Sequence, residues 1–300
     1  MKKAFIQLHI AVFLAGFTAI LGKLIALNEG LLVWYRMLIT AFTLALILYY
    51  KKQLIVLTVK NALMIFGVGA IVALHWVSFY GSIKHSNVSV SLTCLSGIGF
   101  FTSFLEPLIM KRRIDIVEIF LGLMAIAGIY LIFDFYPQYK LGILLGLISA
   151  LLASLFPIFN KKLLVKFSAS TITLYEMWGG LIALTFIIPF YLKQFPASYF
   201  LPSATDWLWL LVLAWLCTVF TFILSLNALK KISPFTANLA YNLEPVYGII
   251  LAFVIFHENK YLSTGFYYGL GLILFAVILQ MLRVYSKLRP GNPNDLPEVY

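Results

Sequence analysis

The chain has 300 residues, of which 62% are hydrophobic and 11% are charged, and its mean hydropathy is +0.98. A water-soluble domain is not this apolar along its whole length, so the composition excludes one and indicates a polytopic α-helical membrane protein. The net charge of +11 does not indicate nucleic-acid binding, because the lysines and arginines lie in small groups between apolar segments.

Ten apolar segments have roughly the length of about 20 residues that an α-helix needs to cross a bilayer. In chain order they cover residues 4–26, 31–50, 61–80, 88–110, 116–134, 140–160, 171–192, 206–228, 234–256 and 262–284. The connections between them are short. The tail is polar and contains proline, so we expect it to be disordered.

Lysine and arginine are distributed unequally between the two sides of the predicted bundle. With the N-terminus in the cytoplasm, sixteen of them lie on the cytoplasmic side and five on the other. The five are Lys23, Lys84, Lys140, Lys193 and Lys260. Because cytoplasmic loops are enriched in positive residues, both termini are predicted to be cytoplasmic.

The second half of the chain repeats the first. A shift of 147 positions aligns Ser78 with Ser225, Lys84 with Lys231, Ser86 with Ser233, Leu92 with Leu239, Gly122 with Gly269 and Glu29 with Glu176. Each half holds five predicted helices, an odd number, so the halves lie in opposite orientations. The sequence thus predicts an all-α integral membrane protein of ten transmembrane helices. They form two inverted five-helix repeats, 1–135 and 136–286, followed by a cytoplasmic tail, 287–300.

Glu244 and Pro245 lie near the middle of the ninth segment. A carboxylate at that depth is costly and usually faces a cavity or a partner, and proline kinks a helix. We expect Glu244 to couple protons or to bind a substrate amine. A structural carboxylate that fixes the kink is the alternative. The 3–4 spacing places Asn238 and Tyr241 on the same face as Pro245, and Asn242 lies beside them.

The third segment supplies His75, Trp76 and Tyr80. His75 can relay protons if it is solvated, and it forms with Glu244 the one plausible acid–base pair at depth; a neutral hydrogen-bonding role between helices is the alternative. Trp76 and Tyr80 are four residues apart and share a face. For Tyr80, a position in the aromatic belt at the membrane surface is the competing interpretation.

Several other residues within the segments have two interpretations. Gly97 and Gly99 are predicted, with Pro245, to be helix hinges, and close helix packing is the alternative. Arg36 is expected to be structural, paired with Glu29 or extending toward the membrane surface. Glu176 is expected either to gate one mouth of the path or to extend its carboxylate to the surface.

The stretch NALKKISPFTANLAYNLEPVYGIILAFVIFHE resembles the signature of the EamA family in the drug/metabolite transporter superfamily. Glu244-Pro245 and Glu258 match its central and terminal positions, and LLVWYRM is similar to the family's second helix. The resemblance implies a ten-helix inner-membrane carrier with a central cavity. In the first repeat, Ile98 stands where the family has proline and Lys111 where it has an acid.

Signals of soluble enzymes are absent from the sequence: it has no phosphate-binding glycine loop, paired metal-ligand histidines, cysteine cluster or nucleophile elbow. We therefore expect no enzymatic activity, no cofactor, no metal site and no nucleic-acid partner. The prediction is a secondary active transporter that exports an amino acid or related metabolite by alternating access, as a monomer or a homodimer in the lipid bilayer.

The predicted substrate-binding residues are Trp76, His75, Tyr80, Asn238, Tyr241, Asn242 and Glu244, and the predicted proton-coupling residues are Glu244 and His75. An uptake carrier for a sugar or nucleoside-like solute is a second interpretation. From other classes, an integral-membrane lipid-modifying enzyme and a sensor or scaffold that moves nothing stay open.

Overall fold

The structure, a computed structural model, describes residues 2–111, 113–135, 137–221, 224–225, 228, 240–241 and 243–287. Within these ranges the regular secondary structure is helical, without a strand. The α-helices are α1 (Lys2–Leu24), α2 (Glu29–Tyr50), α3 (Val59–His85), α4 (Val88–Leu95), α5 (Ile98–Met110), α6 (Ile116–Phe135), α7 (Lys140–Leu163), α8 (Ala169–Gln194), α9 (Ala204–Leu211), α10 (Glu244–Phe256) and α11 (Thr264–Lys287). A π-helix, Val212–Phe220, continues α9, and short 3-10 turns lie at Pro137–Tyr139 and Glu258–Lys260.

In the described part of the chain, seven helical stretches are long and apolar enough to cross a membrane. They are Lys3–Leu24, Glu29–Tyr50, Val59–His85, Val88–Met110, Lys140–Leu163, Ala169–Gln194 and Thr264–Arg283. Three shorter apolar helices cover Ile116–Ile132, Ala204–Phe220 and Glu244–Phe256. An all-helical, multi-pass membrane protein is thereby confirmed, whereas the count of ten spans and the cytoplasmic termini stay predictions. Residues 288–300, most of the predicted tail, lie outside the described residues.

Polar side chains define where several helices begin. Asn28 and Asn87 precede α2 and α4, and each side chain accepts a hydrogen bond from an amide in the first turn of its helix. Ser203 and Asp206 form a reciprocal capping box at the start of α9. These contacts satisfy backbone N–H groups that have no partner within the helix, so they fix the first residue of each helix.

A helix begins directly after a turn in each half of the chain. A turn at Ser96 and Gly97 separates α4 from α5, although the sequence predicted one segment over 88–110. In the second half, a turn at Leu243 precedes α10, which begins at Glu244. Both helices that follow the turns, α5 and α10, are 13 residues long. The described residues of the two repeats therefore share a turn followed by a 13-residue helix, and residues 229–239 and 242, before α10, lie outside the description.

The three predicted hinge residues lie at or next to these turns. Gly97 is buried within the first turn, Gly99 is exposed near the start of α5, and Pro245 is the second residue of α10. Proline is well tolerated at the first turn of a helix, because the missing N–H group has no partner there in any case. Pro245 therefore begins α10 instead of kinking its interior, and a hinge role for the three residues stays a prediction.

The bundle is held together by close contacts between helix backbones. α3 packs against α7 and α8, α6 against α11, and α1 against α10. A Cβ added at Gly69 of α3 would lie 2.1 Å from the carbonyl oxygen of Glu176 on α8. A Cβ added at Gly128 of α6 would lie 2.6 Å from the carbonyl oxygen of Gly269 on α11. Glycine is therefore required where these helices cross, as in other membrane bundles.

Candidate functional site

A buried cation joins three helical elements. Arg36 lies on α2 and is only 4% exposed. Its Nη1 donates a hydrogen bond to the hydroxyl of Tyr80 on α3 (2.6 Å), and its Nε donates to Oγ1 of Thr218 on the π-helix (3.1 Å). The guanidinium carbon lies 3.6 Å from the centroid of the Trp76 ring. A planar cation on an aromatic face is attracted by the ring's negative centre.

Glu244 supplies the opposite charge. It is the first residue of α10, and its carboxylate interacts electrostatically with the Arg36 guanidinium. In the described part of the chain the two side chains form no direct ion pair. The main chain at Glu244 packs on α1, since a Cβ added at Gly16 would lie 2.8 Å from its carbonyl oxygen. We call the group Arg36, Trp76, Tyr80, Thr218 and Glu244 the Arg36 site.

The π-helix forms one wall of this site. Its wider turn allows the Thr218 hydroxyl to donate to the carbonyl oxygen of Leu213, five residues earlier (2.8 Å). The hydroxyl oxygen of Thr218 also accepts the hydrogen bond from Arg36 Nε. Thr221 makes the equivalent contact with Leu216 (2.9 Å). Departures from α-helical geometry of this kind are frequent at functional sites. The sequence predicted an ordinary helix over 206–228 and gave no sign of this one.

The structure brings together some of the predicted binding residues. Trp76, Tyr80 and Glu244 all belong to the Arg36 site. Tyr241 lies one turn before Glu244, and its hydroxyl is 2.6 Å from Oγ of Ser225. Asn238 and Asn242 lie outside the described residues. A role of any of these side chains in substrate binding stays a prediction.

His75 faces a different helix from its neighbour Trp76. Its Nδ1 lies 2.9 Å from both the carbonyl oxygen and the hydroxyl of Ser149 on α7. The rings of Phe79 and Phe156 flank the imidazole. No hydrogen bond or ion pair joins His75 to Glu244. The predicted acid–base pair is therefore not assembled by direct contact in this structure.

Two expectations from the sequence are wrong in detail. Tyr80 does not lie in a surface belt, because it is 0% exposed: α3 continues to His85, beyond the predicted end of the segment at residue 80. Arg36 does not pair with Glu29. The Glu29 carboxylate instead accepts a hydrogen bond from the hydroxyl of Tyr191 (2.6 Å) and lies 3.9 Å from the His85 ring nitrogen.

A second buried charge lies at Glu258, in the turn after α10. Its carboxylate accepts hydrogen bonds from the amide of Val88 (3.1 Å), from the amide and hydroxyl of Ser89 (2.9 and 2.6 Å), and from Lys23 Nζ (2.8 Å). It therefore caps the N-terminus of α4, where backbone amides without a partner in the helix and the helix dipole favour a negative charge. We call these four residues the Glu258 clasp. The sequence identified Glu258 only by its match to a family position.

Glu176 does not extend to the membrane surface, as one interpretation of the sequence required. It is 5% exposed on α8, and its Oε1 has no hydrogen-bond partner among the described residues. Its neighbour Tyr175 ties the loop before α3, because its hydroxyl donates to the carbonyl of Ile55 and accepts from the amide of Leu57 (both 3.1 Å). A gating role of Glu176 stays a prediction.

The described residues contain no group of three or more His, Cys, Asp or Glu side chains that could hold a metal ion.

A small cavity of about 120 Å³ lies between α3, α7 and α8, apart from the Arg36 site. Its lining is mainly apolar and includes Leu74, Val77, Leu145, Leu184, Ile187 and Ile188.

Comparisons with known proteins agree with this architecture. A Bacillus subtilis protein named Uncharacterized transporter YetK is 27% identical over 275 residues, which cover 85% of this chain and 80% of the relative. A Haemophilus influenzae protein named Uncharacterized transporter is 29% identical over 170 residues, 52% of this chain and 54% of the relative. A solved crystal structure shares the fold, with a TM-score of 0.62 at 14% identity, over 94% of this chain and 98% of the other.

The model of the EamA-like transporter family matches this chain twice, over residues 2–134 and again over residues 140–282. Together the two matches cover nearly the whole chain, in agreement with the internal repeat of the sequence. The chain belongs to the EamA-like transporter family of membrane proteins.

Proposed function

We propose that this protein is a secondary active transporter that exports a small metabolite, an amino acid or a related compound, by alternating access. The observation that carries the proposal is the Arg36 site, in which a buried guanidinium has no direct ion partner among the described residues and Glu244 begins α10 after a turn. Secondary transporters bind substrates at interrupted helices where two repeats meet. A small zwitterion matches two opposite charges that do not neutralise each other by direct contact.

Glu244 is the residue proposed to meet the substrate amine or the coupling proton. A carboxylate within a membrane bundle is costly unless it has such a role or a fixed partner. The described residues give it an electrostatic neighbour, Arg36, and no ion pair. Asn238 and Asn242, proposed from the sequence as further binding residues, precede it on the chain.

The proposal includes a location and a mode of action. The carrier lies in the bacterial cytoplasmic membrane with both termini in the cytoplasm, as a monomer or a homodimer. It catalyses no chemical reaction and uses no cofactor. The repeated family match supports alternating access, because two structurally equivalent halves can exchange conformations to open the path on either side.

The experiment is exchange in liposomes that contain the purified protein and a preloaded mixture of amino acids. Labelled amino acids are offered outside at two pH values. We expect saturable uptake of one class, with a pH-dependent rate that Glu244→Gln abolishes. Glu106→Gln is the matched control, since Glu106 is a glutamate that forms a partly exposed ion pair with Lys161 at 3.2 Å.

The outcomes separate the interpretations. A pH-dependent rate that persists in folded Glu244→Gln removes the coupling role of this carboxylate. Absence of amino-acid exchange, together with exchange of a labelled sugar or nucleoside, replaces the proposed substrate class by the second one. Absence of exchange for all solutes, from protein that elutes as a single species in detergent, contradicts a transport function.

A further inference from the structure

The Arg36 guanidinium has donors that the described residues do not use. Nε donates to Thr218 and Nη1 donates to Tyr80. Nη2 and the second hydrogen of Nη1 have no acceptor in the part of the chain that the structure describes. Since arginine is always protonated in proteins, these donors belong to a permanent positive charge.

A buried cation in a membrane bundle is normally neutralised by a direct partner. Among the described residues, the partners of Arg36 are two neutral hydroxyls and the face of the Trp76 ring. Hydroxyls and a ring lower the cost of burying the charge but do not cancel it. The arrangement leaves a positive site with capacity for one more anionic group.

The fixed contacts also orient the guanidinium. The Trp76 ring lies against one face of the group, and the hydrogen bonds to Tyr80 and Thr218 hold two of its nitrogens in place. Such a fork, held rigidly, binds a planar acceptor with two oxygens through paired N–H···O bonds. A carboxylate has this geometry. A sugar hydroxyl or an amide carbonyl does not supply two equivalent anionic oxygens.

We propose that Arg36 binds the carboxylate of the transported substrate, so the substrate class is that of small metabolites with a free carboxylate. Amines, amides and sugars are thereby excluded as preferred substrates. This inference rests on the proposed transport function and adds to it a residue and a chemical group. Thr218 and Tyr80 are positioning residues that hold the guanidinium.

The test compares acids with their amides in the liposome system. Labelled leucine, threonine and phenylalanine are offered beside leucinamide, threoninamide and phenylalaninamide, which keep the amine and the side chain but lack the carboxylate. For the wild type we expect at least one acid to be exchanged with kcat/KM about 10- to 100-fold above its amide, the size of a charge-assisted hydrogen-bond pair.

Substitutions of Arg36 connect that preference with the guanidinium. Arg36→Gln is expected to abolish the preference for the acid, and Arg36→Lys to retain about a tenth of it, because an ammonium is a point charge without the fork. Arg283→Gln is the matched control. It removes an arginine whose partners are Asp115 and Glu118, and we expect the acid preference to be unchanged.

Thr218→Val provides a second variant if Arg36→Gln does not fold. It keeps the guanidinium and the shape of the side chain but removes the acceptor of Nε. We expect the KM for the acid to rise about 10-fold and the ratio of acid to amide uptake to fall by a similar factor. A purely structural Thr218 would lower the yield of folded protein without changing the ratio of acid to amide.

The results distinguish failure of this inference from failure of the transport function. If the wild type exchanges acids and amides equally, or Arg36→Gln keeps the acid preference, the carboxylate role is wrong and transport stands. If the wild type exchanges nothing, transport is wrong. Thermal stabilisation by leucine but not leucinamide, lost in Arg36→Gln, would then still support a carboxylate site. No acid-specific stabilisation would overturn both.

Discussion

Two buried charges of this protein have the same exposure and very different surroundings. Arg36 and Glu258 are each 4% exposed. The Glu258 carboxylate accepts four hydrogen bonds, one of them from the ammonium of Lys23. The Arg36 guanidinium donates to two hydroxyls and lies against an aromatic ring, and its other N–H groups have no acceptor among the described residues.

The comparison teaches that burial alone does not identify a functional charge. Glu258 has the acceptor capacity of both its oxygens filled, so it has no obvious role other than to fix one end of α4 to the turn after α10. Arg36 is held in place without being neutralised by direct contact. The number of unused polar atoms, and not the depth of the residue, separates the Glu258 clasp from the Arg36 site.

The largest effect is expected from Glu258→Ala. The change leaves the amides of Val88 and Ser89 without acceptors and Lys23 without its partner. The Lys23 side chain is 37% exposed, so most of the loss comes from the three hydrogen bonds of Val88 and Ser89 to the buried carboxylate. Hydrogen bonds to a charged group contribute about 1.5–3 kcal/mol each, and we expect a total loss of about 3–5 kcal/mol. Equilibrium unfolding of the detergent-solubilised protein measures the change in the free energy of unfolding.

The control for this variant is Glu106→Ala. Its carboxylate pairs with Lys161 at 3.2 Å, and both side chains are largely solvent-accessible, at 32% and 48%. Exposed pairs contribute roughly 0–1 kcal/mol. Equal free energies of unfolding for the two variants would show that the Glu258 clasp stabilises the protein no more than an exposed ion pair does.

A smaller effect is expected from Ser89→Ala, which removes the hydroxyl that donates to Glu258 at 2.6 Å and keeps the amide contact. A hydrogen bond to a charged group contributes about 1.5–3 kcal/mol. Ser103→Ala is its control. Ser103 is another buried serine, whose hydroxyl donates to the carbonyl of Phe100, and a neutral bond contributes about 0.5–1.5 kcal/mol. A larger loss for Ser103→Ala would reverse the expected ranking.

The smallest effect on stability is expected from Arg36→Gln. It removes a charge that lacks a direct ion partner among the described residues, and it costs two hydrogen bonds to neutral hydroxyls. Removing a buried charge also removes its desolvation cost, which offsets the lost bonds, so we expect a change of about 1 kcal/mol or less. The free energy of unfolding and liposome exchange are measured on the same preparation. Unfolding as easy as that of Glu258→Ala would make Arg36 a structural cation.

The helices were predictable because each one follows from local composition. Apolar runs of membrane-spanning length lie between short polar connections, and the structure places helices at nearly the same positions. Gly97 lies within the first turn, and Glu244-Pro245 directly follows the second, so the sequence indicated both positions. What local composition does not encode is that a turn lies at Ser96 and at Leu243, since both residues are compatible with a continuous helix.

The contacts of the charged residues were not predictable in the same way. Arg36 is two helical turns from Glu29, so local spacing favoured that pair, yet its partner Thr218 is 182 residues away. Glu258 binds Ser89 and Lys23 across 169 and 235 residues. Such partners are set by how the helices pack. A single sequence records each charge but not the surface that meets it.

The two helices that follow the turns, α5 and α10, have a mechanical consequence. At 13 residues each, they are about 20 Å long; α5 continues the 23-residue stretch Val88–Met110, whereas α10 by itself is shorter than the roughly 30 Å hydrocarbon core of a bilayer. Each ends in a residue of left-handed conformation, Lys111 with φ 54° and His257 with φ 53°. A rod of this length that tilts by about 20° around its capped end displaces its other end by roughly 7 Å. That distance is comparable to the size of an amino acid, so under the proposed alternating access a rotation of this size at the loop would move one end of the helix by about one substrate width.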